Sequence, residues 1–154
     1  MPTPYLDPTS SISAAITNQG RELIAKSVLG LLSFQLIGFK VGQDGYDYVT
    51  PKPTNAIPIN PANTDLLSPV FPIAGYEPFV TIETPFPNVV APVCRLNFSD
   101  ANFGLGELGI WANVVSSSDG AYPVSTKVMF ALAHFPLLSK TNRHNFVFRV
   151  IIGL

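Results

Sequence analysis

The sequence predicts an α+β domain: an N-terminal amphipathic helix packed on an antiparallel sheet, with a long Pro-rich irregular insertion. Three observations predict it. Leu23, Ile24, Ser27, Val28 and Leu31 follow a 3–4 spacing that puts one apolar stripe along a helix. Further on, several runs alternate apolar residues with period 2, as strands do. Residues 49–92 hold ten of the fifteen prolines, which denies that stretch helix interiors and central-strand pairing. A helix followed by four or more strands is a layered arrangement.

The chain of 154 residues suits one domain. Its division reads as an extended arm over residues 1–16 and a single domain over 17–154, with the insertion at 49–92. Thr17 and Asn18 are good N-cap residues for the helix, and Gly30 is placed for its C-cap. Residues 33–41 read as the first strand, closed by the turn Gly42-Gln43-Asp44-Gly45. A short strand is expected at residues 79–84, before Pro85 and Pro87.

The centre of the pattern is the stretch 94–115. Cys94, Leu96 and Phe98 share one face of one run; Leu108, Ile110, Ala112 and Val114 share one face of the next. The corner between them, residues 99–106, is too long for a two-residue hairpin turn, and the rest of the chain should pack on this pair of runs. Residues 127–135 form a strand that is apolar on both sides and expected to end at Pro136. Phe146, Phe148, Val150 and Ile152 mark the inner face of a last strand.

Composition narrows the function. Charged residues make up 12% against roughly 25% in an ordinary soluble domain, so the surface favours burial against partners. The net charge is −1 with no basic run, which argues against nucleic-acid binding. No apolar run approaches the ~20 residues of a membrane helix, and residues 1–8 carry neither the basic start nor the apolar core of a signal peptide. The single cysteine, Cys94, suits a reducing cytoplasm and a strand interior.

Chemistry has little material. His134 and His144 fall on different elements, and no Cys or His pair has metal-ligand spacing. Asp100, Glu107 and Asp119 sit near turns, where an acid usually caps backbone amides. The expectation is a protein without catalytic site, cofactor or metal. Glu107 is expected to be a structural acid, satisfying amides of the 99–106 corner or pairing with Arg95 or Arg149. Tyr46, Tyr48, Phe71, Tyr76, Phe79 and Phe86 offer aromatic anchors for a partner across the 49–92 segment. Those aromatics can equally fold back on the protein's own sheet.

Several motifs occur together in a recognisable order. Thr17-Asn18-Gln19-Gly20-Arg21 opens the helix, and Phe39-Lys40-Val41-Gly42-Gln43-Asp44-Gly45 follows. Asn63-Thr64-Asp65-Leu66 comes next, then Gly106-Glu107-Leu108-Gly109-Ile110-Trp111-Ala112, Asp119-Gly120 and Phe135-Pro136. This order resembles the N-terminal domain of the tail-collar fibre family of tailed bacteriophages, over residues 17–154. The turn departs from the family pattern by the inserted Gln43, and the likeness extends to the domain alone, without the fibre shaft. The resemblance implies a virion structural protein of the tail, baseplate or collar, made in the host bacterial cytoplasm. It further implies an adaptor that contacts itself, as a homotrimer, and other tail proteins. Gly42, Gly45, Glu107, Gly109 and Trp111 carry the family motifs and read as turn glycines, a capping acid and a core aromatic. The alternatives are a detached receptor-binding or glycan-binding tail module and a small tail-borne hydrolase. The hydrolase would need two converging carboxylates, for which Asp100 and Glu107 are the candidates.

Overall fold

The computed structural model describes residues 9–45, 56–97, 100, 104–140 and 145–154. Its elements run β1 (Thr9–Ile16), α1 (Asn18–Val28), β2 (Leu32–Gly42), β3 (Pro69–Phe71), β4 (Thr81–Phe86), β5 (Val89–Leu96), β6 (Gly104–Ser117), β7 (Lys127–Ser139) and β8 (Phe146–Gly153). All eight strands belong to one sheet of order β3-β2-β6-β7-β1-β8-β5-β4. Of the described residues, 56% lie in strands and 9% in the one short helix, and the sheet curls into a half-barrel.

The α+β expectation is therefore overturned. The helix forms where its pattern places it, but it follows the first strand and is a minor element of an almost wholly β structure. Two misread segments account for the difference. Residues 9–16, expected as an arm, alternate Ile12, Ala14 and Ile16 against Ser11, Ser13 and Ala15, a strand period hidden by neighbouring prolines. Residues 49–92, expected as irregular apart from a short strand at 79–84, contribute β3 and the start of β5 besides that strand, which is β4. Their prolines sit where sheets tolerate them: Pro69 on the terminal strand β3, and Pro85 on the other terminal strand, β4.

β1 joins two half-sheets. Its residues Thr9 to Ala14 run parallel to β8, from Thr9↔Val147 to Ala14↔Ile152. Ala15 and Ile16 then pair antiparallel with Leu132 and Ala131 of β7. The sheet is mixed for this reason, not purely antiparallel. β7 loses its β1 neighbour after Leu132, so the missing N–H of Pro136 breaks no ladder there, and β7 runs on to Ser139.

The two central runs do not pair with each other. β5 lies between β8 and β4, and β6 between β2 and β7. The corner between them is a crossover from one half-sheet to the other. The shared faces are as the alternation requires: Cys94, Leu96, Leu108, Ile110, Ala112, Val114, Phe148, Val150 and Ile152 all enter the main core. A smaller cluster of Leu66, Trp111, Met129 and Leu132, with Ile37, Ile59 and Tyr76 against it, is separate from that core. Trp111 alternates out of the β6 face that holds Ile110 and Ala112, so the two clusters lie on opposite sides of the sheet, the smaller one beneath residues 56–78.

α1 is fixed at both ends. The buried Thr17 caps it: Oγ1 accepts from the Gly20 N–H at 3.0 Å and donates to the Met129 carbonyl at 2.5 Å, while the Thr17 N–H donates to the Phe130 carbonyl at 3.0 Å. A Cβ on Gly20 would strike that Phe130 carbonyl, so helix and strand meet backbone to backbone. At the far end Gly30, at φ +76, takes the left-handed position, and the N–H of Leu31 reaches the Lys26 carbonyl while that of Gly30 reaches Ser27. Lys26 pairs with Asp119 at 2.5 Å, and the Tyr122 hydroxyl donates to Glu22 at 2.7 Å. Along the apolar stripe only Leu23 is fully buried; Val28 is 82% exposed.

Replacing Thr17 with alanine removes a cap and strands the Gly20 amide, so unfolding free energy should fall by about 1–2 kcal/mol, and less with serine, as read by urea denaturation. Tyr122 gives a pH signature. Burial, then the hydrogen bond to Glu22, pushes its pKa from 10.0 up to about 12. The folded state therefore holds this proton more tightly than the unfolded chain does. The stabilisation is complete below pH 10.0 and is lost as pH rises toward about 12. The melting temperature should drop across that window, and Tyr122→Phe should remove that part of the drop.

Candidate functional site

Some of the resemblance-bearing residues gather around one carboxylate. Glu107, at the start of the buried part of β6, is 0% exposed. Its Oε1 accepts from the Leu67 N–H at 2.7 Å, and its Oε2 accepts from the N–H groups of Ser68 at 2.8 Å and Asp44 at 3.2 Å. One side chain thus ties the turn after β2 and the segment before β3 to β6. Charge-assisted bonds to three backbone amides let a carboxylate be buried without a cation. The expected partners are corrected by this geometry: the amides come from residues 44, 67 and 68, and Arg149 pairs with Glu83 instead.

The glycines around Glu107 make room for it. A Cβ on Gly42 would lie 2.5 Å from Glu107 Oε2 and 2.6 Å from the Ser68 carbonyl. Gly45, at φ +97, packs against the backbone of Gly106. Gly109 lies under the Trp111 indole, where a Cβ would come within 2.5 Å of the ring. Trp111 in turn faces the ring of Tyr76, with centroids 5.5 Å apart, and the Lys40 ammonium sits over both rings at 5.3 and 5.0 Å. Sequence reasoning singled out all five motif residues, and the structure assembles them into one clasp between the sheet and the proline-rich segment.

The proposed aromatic anchors divide. Tyr46 and Tyr48 lie outside the described residues. Phe71 is half-buried against the main core, Phe79 stacks on Phe39 at 6.3 Å, and Tyr76 belongs to the smaller cluster. Phe86 is 65% exposed. Among the described residues, the segment also exposes Leu67, Ile73, Val80 and Ile82.

The acids noted near turns, among them the two invoked for hydrolysis, have backbone partners. Besides Glu107, Asp100 accepts from the Asn97 N–H at 2.9 Å and Asp119 from the Ala121 N–H at 2.8 Å. His134 Nδ1 faces the Ile57 carbonyl at 3.1 Å, which makes Nδ1 the protonated nitrogen; His144 lies outside the described residues. Burial pushes the Cys94 thiol pKa up, away from thiolate reactivity. Among the described residues no group of three or more His, Cys, Asp or Glu is placed to hold a metal ion, and no helix is long and apolar enough to cross a membrane.

Sequence reasoning missed a groove in the half-barrel. Between α1, β2 and β4 the half-barrel leaves a groove of about 620 Å³. Ile24 and Val28 of α1, Phe34 and Leu36 of β2, Ile82 of β4 and Val90 of β5 line it. No lining side chain carries a charge. The signal was present in the helix stripe, which is apolar over more positions than the sheet covers.

Comparisons of the chain with protein-family models, with curated proteins and with solved structures returned no match.

Glu107→Gln replaces one accepting oxygen by a donor that faces amide N–H groups. Its cost should be about 2–3 kcal/mol, read by urea denaturation, with faster hydrogen exchange at the amides of Leu67 and Ser68.

Proposed function

We propose that this chain is a structural subunit of a bacteriophage virion. It is a docking or adaptor protein of the tail, baseplate or collar that anchors a fibre or a neighbouring tail protein. The observation that carries the reading is the open, uncharged apolar seam in a chain with only 12% charged residues. A surface of this kind is suited to contact with protein and ill suited to isolation in water. The resemblance of the Thr17–Gly20 helix start, the 39–45 turn and the 106–112 motif to the tail-collar fibre family supplies the setting.

The geometry gives these motif residues structural work, which fits a subunit that must hold its shape in an assembly. Thr17 and Gly20 weld the helix to β7, and Glu107 holds two loops on β6. Such a protein acts by burying surface against copies of itself and against other tail proteins. A glycan-binding platform would present several exposed aromatics on a concave face; among the described residues Phe86 is the one aromatic left exposed.

The test is the composition of purified phage particles encoding the chain. Quantitative mass spectrometry should find it at a fixed number of copies per particle, and antibodies against it should label the tail. A protein that stays in the lysate and is missing from the particles would sink this reading.

A further inference from the structure

β2 is paired along the whole of one edge and along only part of the other. On the β6 side its ladder runs from Leu32↔Ser117 to Gly42↔Glu107. On the other side the protein's own proline-rich segment covers the far end. Val41 and Gly42 pair with Phe71 and Pro69 of β3, and Phe39 and Glu77 exchange backbone hydrogen bonds at 2.9 and 3.1 Å. From Leu32 to Ile37 no backbone partner meets that edge among the described residues. The stretch also lacks the charges and prolines that usually block an exposed edge. Register shifts at Ser33/Phe34 and Leu36/Gly38 bend the strand and leave Phe34 to Leu36 as its regular part.

The side chains of this stretch belong to the groove. Phe34 and Leu36 are half-buried and line it together with Ile82 and Thr84 of β4. A strand added to β2 continues the same face of the sheet. Every second side chain of the newcomer, spaced about 7 Å apart, therefore enters the groove beside Phe34 and Leu36. β4, which lines the same groove, is likewise unpaired on one edge among the described residues.

We propose that the groove takes a short extended segment of a neighbouring tail protein, laid along Phe34 to Leu36 as an added strand with apolar side chains at alternate positions. Two properties of the site select this occupant. Open backbone donors and acceptors beside the groove call for an extended chain; a helix satisfies its own backbone, and a hydrocarbon chain has no groups to offer. The lining by Ile24, Val28, Leu36, Ile82 and Val90, with no charged side chain, calls for uncharged apolar partners. The protein's own residues 69–77 already add to this edge at residues 39–42, so the edge stands in pairing geometry. The same insertion covers Val28 and Ile82, which are 82% and 44% exposed. This inference deepens the docking reading and rests on it for the partner's being a tail protein.

The probe is a synthetic peptide of about seven residues, alternating valine and threonine between lysine ends, titrated into the full chain by calorimetry. Binding should saturate below about 1 mM, and the amides of Phe34 to Leu36 should be among those whose hydrogen exchange slows. N-methylating alternate peptide amides, in one of the two possible phases, should weaken binding by about tenfold or more. Val28→Lys and Ile82→Lys should each weaken it by about tenfold with unchanged circular dichroism. Ile73→Lys, at a fully exposed position outside the groove, should not. An absence of binding, equal binding of both N-methylated peptides, or full binding to both groove variants would overturn the added strand. A chain that self-associates by light scattering and is dispersed by the peptide would give the groove to a second copy and overturn the partner named here. The titration does not depend on particle composition, so absence from particles would remove the docking reading and leave the added-strand site standing.

Discussion

The structure depends on one strand changing partners. β1 is parallel to β8 for six residues and antiparallel to β7 for two, with the switch between Ala14 and Ala15. Small residues at this point let the two half-sheets diverge while backbone pairing continues through Ile16 and Thr17, whose N–H still reaches Phe130. Without β1, the groups β3-β2-β6-β7 and β8-β5-β4 would have no strand-to-strand connection among the described residues. The main core, which draws side chains from both groups, would then have to hold the domain alone. The angle imposed at this join also explains the helix. α1 starts immediately after β1 and is docked on β7 by Thr17 and Gly20, so it lies against the curl.

A second constraint acts on the opposite side of the sheet. The proline-rich segment has too few donors and too little regular pairing to organise itself, and a single buried acid does part of that work. Glu107 replaces water at three backbone amides from two separate loops. This exchange is favourable because ionised acceptors make the stronger class of hydrogen bond. Leu66, next to the clasped Leu67, is thereby set over Trp111, and the Lys40 ammonium covers the rings of Trp111 and Tyr76. Burial and backbone satisfaction are coupled here: the small cluster and the carboxylate anchor adjoining residues of one segment.

The curl stops short of closure, and the consequences fall on α1 and β4. Both present apolar side chains toward the open seam, which Phe34 and Leu36 of β2 also line. In a closed barrel the strand edges would satisfy one another; in this half-barrel they remain available to another chain. A low-charge surface, an open apolar groove and a rigidly clasped opposite face suit a protein whose work is to be packed against.

The sequence by itself determined the local periods. The alternations in 108–114 and 146–152 place each strand face on the side where it is found, because side-chain direction along a strand is a property of the backbone; in 33–41 and 127–135 the inward face shifts by one residue, from Phe34 and Leu36 to Phe39 and Val41 and from Val128 and Phe130 to Ala131 and Phe135. Thr17 and Gly30 bound the helix for equally local reasons, and the crowding of glycines around Glu107 marked the clasp without naming its partners. Tertiary structure alone decided the class of the fold, the strand order and the open seam. Ser11, Ile12, Ser13 and Ala14 become a strand through a parallel partner more than 130 residues away, and no nearby residue records that pairing. The 94–98 and 108–114 runs look like neighbours in the sequence, yet Cys94 to Leu96 and Leu108 to Val114 lie in different half-sheets. Hydrogen-bond partners are chosen by the curl of the whole sheet, whereas the alternation of each strand specifies only which of its faces turns inward.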